Sequence, residues 1–146
     1  MDSDSGSVAL LAIKPRFAQA IIAGKKKVEF RKTRFSQRPR YIVLYASTPI
    51  QQIVAFFEVE HIEELTPTGL WRKFRAVGAI DYQEFTNYYG RRDRGYAIVV
   101  GTVWKLDRPA SLGHLYPRGS PPQSFRYLRS DSIARLMKRH DSSISR

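Results

Sequence analysis

The sequence predicts an α+β domain, a small and mostly antiparallel β-barrel with helices around its periphery. Two observations carry this. Strand-like runs follow one another at residues 41–46, 53–59 and 96–106 without the regular helical crossovers that a doubly wound parallel sheet requires. The 146 residues, 42% hydrophobic and 12% aromatic, also amount to a single domain large enough to bury a core. No internal repeat and no long linker divides the chain. Residues 8–140 therefore read as one domain, between a disordered tail at 1–7 and a frayed tail at 141–146.

Each element has its own signal. Val8 to Ile13 is a short continuous apolar run, the pattern of a buried strand. Lys14-Pro15 ends it, and proline at the first helical position starts a helix without losing a hydrogen bond. Phe17, Ala18, Ile21 and Ile22 share one face of that helix, and Gly24 stands where a left-handed cap is wanted. Val28 and Phe30 alternate with Glu29 and Arg31, the period of a half-buried strand. A cationic turn, Ser36 to Arg40, leads to strands at Tyr41–Ala46 and Ile53–Val59, the second of them the most buried. Thr66 caps a helix running to about Arg75, and Asp81 caps another, Tyr82–Tyr89, which Gly90 closes. Tyr96–Leu106 is a long strand in which Gly101 marks a bulge. A Gly/Pro-rich loop from Leu112 to Pro122 precedes a last strand, Ser124–Leu128, and a final helix with Ile133, Leu136 and Met137 on one face.

Charge narrows the function classes. The net charge is +12 and the pI is near 10.3. So basic a surface repels itself and points to a polyanionic partner, nucleic acid ahead of an anionic membrane, with plain solubility third. The chain has no cysteine, which excludes a disulfide framework and thiolate metal sites and suits a reducing, cytoplasmic setting. Three histidines, His61, His114 and His140, lack ligand spacing, so neither a metal site nor a cofactor is expected. Met1–Ser7 is polar and acidic, unlike a signal peptide, and no apolar run is long enough to span a bilayer.

The stretch Gly24 to Arg31 has two readings. In one, Lys25, Lys26 and Lys27 complement the dipole of a helix end, and the strand behind them turns its charged face to water. In the other, Lys26, Glu29 and Arg31 converge on a barrel mouth. There the cations donate to phosphate and the carboxylate accepts from a base amino group. Lys14 at a helix start opposes the dipole, which hints at an anion nearby. Ser47 and Thr48 end a strand, where they either cap the next turn or donate to a ligand phosphate. Ser124, Phe125, Arg126 and Tyr127 form either an amphipathic edge strand or a base-stacking and phosphate-holding set, Phe125 on balance packing inward. Arg72, Lys73 and Arg75, and likewise Arg91, Arg92 and Arg94, read as solvated basic surface that adds phosphate contacts without reading sequence. Trp71 and Trp104 lie in apolar patterns and read as core.

Gly24, Lys26, Glu29 and Arg31 match the G-x-K-x-x-E-x-R signature of the ASCH domain, a branch of the PUA-like superfamily. Ala12-Ile13-Lys14-Pro15, Tyr45-Ala46-Ser47-Thr48-Pro49 and Pro121 to Leu128 resemble further segments of its basic bacterial and phage members, often labelled predicted transcriptional regulators. The resemblance implies a PUA-like β-barrel with surrounding helices, a cleft lined by the signature residues, and a nucleotide or nucleic-acid ligand. Some ASCH proteins look like amidohydrolases acting on acylated nucleosides, and others have ribonuclease activity. In the amidohydrolase branch a threonine stands at the position of Glu29, paired with the lysine as nucleophile and base. A carboxylate is a poor substitute for that hydroxyl, whereas the lysine is kept here as Lys26.

The resulting expectation is a nucleic-acid-binding module, with RNA ahead of DNA and a regulatory role in view. Lys14, Lys26, Glu29, Arg31, Ser47, Thr48, Ser124 and Arg126 would form its binding residues. The alternative is a metal-independent ribonuclease or nucleoside amidohydrolase of the same cleft, with Lys26 and Glu29 as its catalytic groups.

Overall fold

Strand β1 (Ser7–Ile13) lies inside a sheet, and its unbroken apolar run follows from that position. The computed structural model describes residues 7–115, 120–122 and 124–141. In it β1 pairs in parallel with β3 (Pro39–Ala46) and antiparallel with β6 (Phe125–Leu128). Ala9, Leu11 and Ile13 face one core cluster and Val8 and Leu10 the opposite one, so both sides of the strand are covered. Helix α1 (Pro15–Ile22) follows at once, with Lys14 at its N-cap making no side-chain cap bond. Gly24, at φ 79°, turns the chain out of it.

The remaining elements are β2 (Val28–Arg31), β4 (Gln52–Leu65), α2 (Pro67–Phe74), α3 (Tyr82–Tyr89), β5 (Gly95–Ala110) and α4 (Ser132–Asp141). The strand order is β2-β5-β4-β3-β1-β6. Thr66 and Asp81 cap α2 and α3 as the sequence predicts, each accepting from the backbone N–H three residues on. Leu112–His114 forms one 3-10 turn. Much of the loop that follows lies outside the described residues, as do residues 1–6 and 142–146 of the expected tails.

Three cores divide the molecule. The first packs under α1 and includes Leu11, Ile21, Phe35, Leu44 and Phe57. The second, on the other face, holds Leu10, Val43, Phe56 and Leu106 against Leu136 of α4. The third joins Val28 and Phe30 of β2 to Leu70, Phe74, Phe85 and Tyr89 of α2 and α3.

The mixed α+β architecture is as expected, and three details differ. First, β1 begins at Ser7, a residue the sequence pattern places in the tail. Second, β4 and β5 run well past the expected ends, because they pair with each other from Ile53↔Ala110 to Leu65↔Gly95. That ladder holds the polar segment Glu60–Glu64 in the sheet without apolar alternation. Third, the expected barrel is not closed by backbone pairing among the described residues, since β2 and β6 end the strand order. One pairing, β1 with β3, is parallel and the other four are antiparallel. The chain between β1 and β3 passes through α1 and β2, which supplies the long connection a parallel pair needs. The sheet curls enough for a side chain to span its two end strands. Arg31 Nη2 on β2 donates to the carbonyl and Oγ of Ser124 just before β6, at 3.0 and 3.2 Å.

The β4–β5 ladder carries a bulge at the predicted glycine. Phe57 pairs with Val103 and Val59 with Val100, so Gly101 and Thr102 together oppose Glu58. A Cβ on Gly101 would lie 2.8 Å from the Glu58 carbonyl oxygen, a backbone atom that cannot rotate away. Gly101→Ala is therefore expected to lower stability by about 1–3 kcal/mol. Urea denaturation reads this as a lower midpoint at unchanged slope, and an unmoved midpoint would contradict the close approach.

Candidate functional site

The site grows from the spacing of three charged residues. Glu29 and Arg31 are two apart on β2 and so share the face opposite Val28 and Phe30. Glu29 Oε2 accepts from Arg31 Nη1 at 3.2 Å, and its Oε1 lies 3.5 Å from Lys26 Nζ. Lys26 Nζ also donates to the Gly78 carbonyl at 2.5 Å and sits 4.5 Å from the Phe17 ring centre and 5.5 Å from that of Phe30. Relative exposures are 1% for Lys26, 5% for Glu29 and 9% for Arg31. The charged strand face is thus buried, and the reading in which it meets water is overturned. Lys26 is likewise an interior residue and not a free loop lysine. Burial pushes its ammonium below the ordinary value of 10.5, and Glu29 opposes that fall. Three charges can leave water together only where partners replace hydration, which is what this chain of contacts does.

The chain forms the floor of a cleft of about 750 Å³ between the start of α1, β2 and α3. At its rim Lys14 Nζ and Arg16 Nη2 both donate to Glu84 Oε2, at 2.9 and 2.5 Å. Those hydrogen bonds, Arg16 first and Lys14 second, hold the Glu84 carboxyl below its usual range. Glu84 is placed by the cap of α3, where Asp81 Oδ1 accepts from its N–H at 2.8 Å. One turn on, the Tyr88 hydroxyl accepts from the Lys32 N–H at 3.1 Å, and burial raises its phenol above the usual range. Among the described residues four cations line the cleft (Lys14, Arg16, Lys26 and Arg31) against three carboxylates (Glu29, Asp81 and Glu84), so its net charge is small.

Lys14, Lys26, Glu29 and Arg31 come together in this cleft. Ser124 joins it indirectly, through Arg31. Ser47 and Thr48 form the turn after β3 and are not among the lining residues, although the Ser47 N–H donates to Ile13 O at 2.9 Å, next to Lys14. Arg126 is exposed on β6 opposite Leu10, outside the cleft wall. Phe125 and Tyr127 pack on Phe35, at 4.4 and 6.5 Å, and the Tyr127 hydroxyl donates to the Gln37 carbonyl. They anchor the turn at Gln37. Sequence reasoning missed Arg16, Phe17, Glu84 and Tyr88. Phe17 was placed on the apolar face of its helix, and the Asp81 cap marked the start of the helix that carries Glu84 and Tyr88, without showing that α3 faces α1.

The family model described as the ASCH domain matches residues 11–102. The chain belongs to the ASCH domain family. A protein of Zymomonas mobilis named ASCH domain-containing ribonuclease is 28% identical over 136 residues, covering 88% of this chain and 89% of that protein. The crystal structure of ASCH from Zymomonas mobilis matches with a TM-score of 0.82 at 26% identity, covering 90% of this chain and 94% of that one. Large ribosomal subunit protein uL22 of Ureaplasma parvum is 25% identical over 129 residues. This chain spans 41% of that relative's length. Within this ASCH domain the signature residues divide their work: Gly24 turns the chain out of α1, and Lys26, Glu29 and Arg31 make the buried charge chain.

Lys26→Met is expected to destabilise the fold by about 3 kcal/mol, because it leaves the Glu29 carboxylate and the Gly78 carbonyl short of a partner. Lys26→Met/Glu29→Leu is expected to recover part of that loss, and urea denaturation of the four members of the cycle measures the coupling. The sign with pH also follows. The folded state sheds the Lys26 proton first, so between that lowered value and 10.5 the unfolded chain binds more protons. This group's contribution to stability then rises with pH, a rise that Lys26→Met abolishes.

Proposed function

We propose that this ASCH domain binds RNA and takes one nucleotide into the cleft between α1, β2 and α3. The buried Lys26–Glu29–Arg31 chain carries the reading. Its donors and acceptor are fixed before a ligand arrives, which removes much of the ordering cost of holding a planar polar group. Arg31, a lining residue of the cleft, keeps its Nε buried without a partner among the described residues, a donor left for an acceptor. Lys14 and Arg16 would take a phosphate at the rim in place of Glu84. Ser47 and Thr48, in the turn that Ser47 ties to Ile13, would meet the strand outside the cleft wall, Ser124 positions Arg31, and Arg126 would add an outer phosphate contact. Kinship with a protein named a ribonuclease supports RNA over DNA. In a non-catalytic module RNA occupancy is itself the output, which suits a regulatory role.

The same kinship favours a second reading, that the cleft cleaves RNA. Without a metal, the ribose 2′-oxygen would form a bond to the adjacent phosphorus as the bond from phosphorus to the 5′-oxygen breaks. One proton leaves the 2′-hydroxyl and another reaches the leaving oxygen, giving a cyclic phosphate. Lys26 would stabilise the phosphorane charge or act as base, and Glu29 would carry protons. Glu29 has both oxygens engaged by cations, so it is poorly placed as the nucleophile an acylated-nucleoside hydrolase would need.

Anisotropy titration with a short labelled single-stranded RNA tests binding, and gel analysis of the same RNA with and without EDTA tests cleavage. Binding is expected to weaken steeply with salt. Lys14→Gln/Arg16→Gln is expected to flatten the log–log salt slope by about 0.7, the contribution of the one phosphate they share. Glu84→Gln, which frees both cations, is expected to tighten binding by roughly twofold to fivefold, the worth of one exposed ion pair. Salt-independent binding would sink the first reading. Cleavage that survives both Lys26→Ala and Glu29→Ala would sink the second.

A further inference from the structure

Helix α3 has two faces, and each lines a different concavity. Gln83, Glu84, Asn87 and Tyr88 line the cleft, while Tyr82, Phe85, Thr86 and Tyr89 line a groove of about 530 Å³ between α2 and α3. The base of that groove is aromatic. Tyr82 stands edge-on to Trp71 at 5.1 Å and is 59% exposed, an unusual state for a large ring.

The groove also concentrates positive charge that the cleft does not have. Arg72 of α2, Arg75 at its C-cap and Arg92 beyond α3 are exposed along it, and no carboxylate lines it among the described residues. Their neighbours in sequence are occupied: Lys73 binds Glu63 at 2.7 Å and Arg94 binds Glu64 at 3.3 Å. Arg72, Arg75 and Arg92 form no salt bridge among the described residues. Three unpaired cations beside an open aromatic ring fit a chain of phosphates carrying unstacked bases.

We infer that the α2–α3 groove is a second binding site, for the single-stranded RNA whose nucleotide enters the cleft. It would stack an unpaired base on Tyr82 and Trp71 and hold the flanking phosphates at Arg72, Arg75 and Arg92. The inference rests on the reading of RNA as the ligand. A strand joining the two sites crosses α3, a body about 10–12 Å wide, so a mononucleotide uses the cleft alone and an oligonucleotide uses both. Stacking demands a single strand, because a duplex keeps its base faces covered.

The test compares the intact chain with Arg72→Gln/Arg75→Gln/Arg92→Gln and with Tyr82→Ala, titrated with a labelled single-stranded RNA and with a labelled mononucleotide. The triple variant is expected to weaken RNA binding at low salt and to flatten the salt slope by about 2, at about 0.7 per contact. Tyr82→Ala is expected to weaken it about fivefold or more without changing the slope. Mononucleotide binding should stay unchanged in both, which also reports that they fold. Unchanged RNA affinity and slope in both variants overturns the groove, and so does binding to anionic phosphatidylserine vesicles with none to RNA. Lys14→Gln/Arg16→Gln separates the two sites. If it leaves RNA affinity intact while the groove variants lose it, the cleft reading fails and the groove stands.

Discussion

The Glu29 carboxylate, held between Lys26 and Arg31, is the contact on which the rest of the structure depends. Each of its partners reaches onward into a different element. Lys26 binds the carbonyl of Gly78, whose Cα packs so closely on Phe30 that a Cβ there would meet the ring at 2.8 Å. The Arg31 carbonyl accepts from the Tyr89 hydroxyl of α3 at 3.0 Å. The Arg31 side chain crosses to Ser124 and ties the two end strands of the sheet together. One buried chain of charge thereby fixes β2, the loop before α3, α3 itself and the start of β6. An interior ion pair of this kind adds little net stability against an apolar equivalent, but removing one member is severe. Its value lies in holding donors and acceptors in one arrangement at the foot of a cleft.

Helix α3 sets the second constraint. Eight residues long, it shows one face to the cleft and the other to the α2–α3 groove. The two concavities differ in electrostatics in a way that the overall charge of +12 does not reveal. The cleft balances four cations with three carboxylates, and its rim cations are engaged by Glu84. That balance suits selective contact with one polar group more than bulk attraction of a polyanion. Long-range attraction belongs to cations without local partners, and Arg72, Arg75 and Arg92 along the groove are three of them. One short helix separates the two charge environments.

Membership of the ASCH family accounts for the signature and the architecture. The family match ends at residue 102, yet Arg31 reaches Ser124 beyond it, and α4 covers the second core from the C-terminal side. The segment outside the match is thus structurally continuous with the segment inside. Among the described residues no helix is long and apolar enough to cross a membrane.

Much of the fold was legible locally. Thr66 and Asp81 announced their helices because a cap is a contact between residues three apart. Gly101 announced a bulge because only glycine tolerates a carbonyl at that distance. The polar half of β4 was not legible, since its strand character comes from pairing with β5 and not from its own pattern. Site residues divide in the same way. The spacing of Lys26, Glu29 and Arg31 determined by itself that they would share one side of a helix–strand junction. Only the tertiary structure decided that this side is buried, that Glu84 from α3, 70 and 68 residues later in the chain, meets Lys14 and Arg16, and that three arginines from two clusters line one groove. The reason is physical: period and capping act over three or four residues, whereas burial and charge pairing depend on which distant elements pack together.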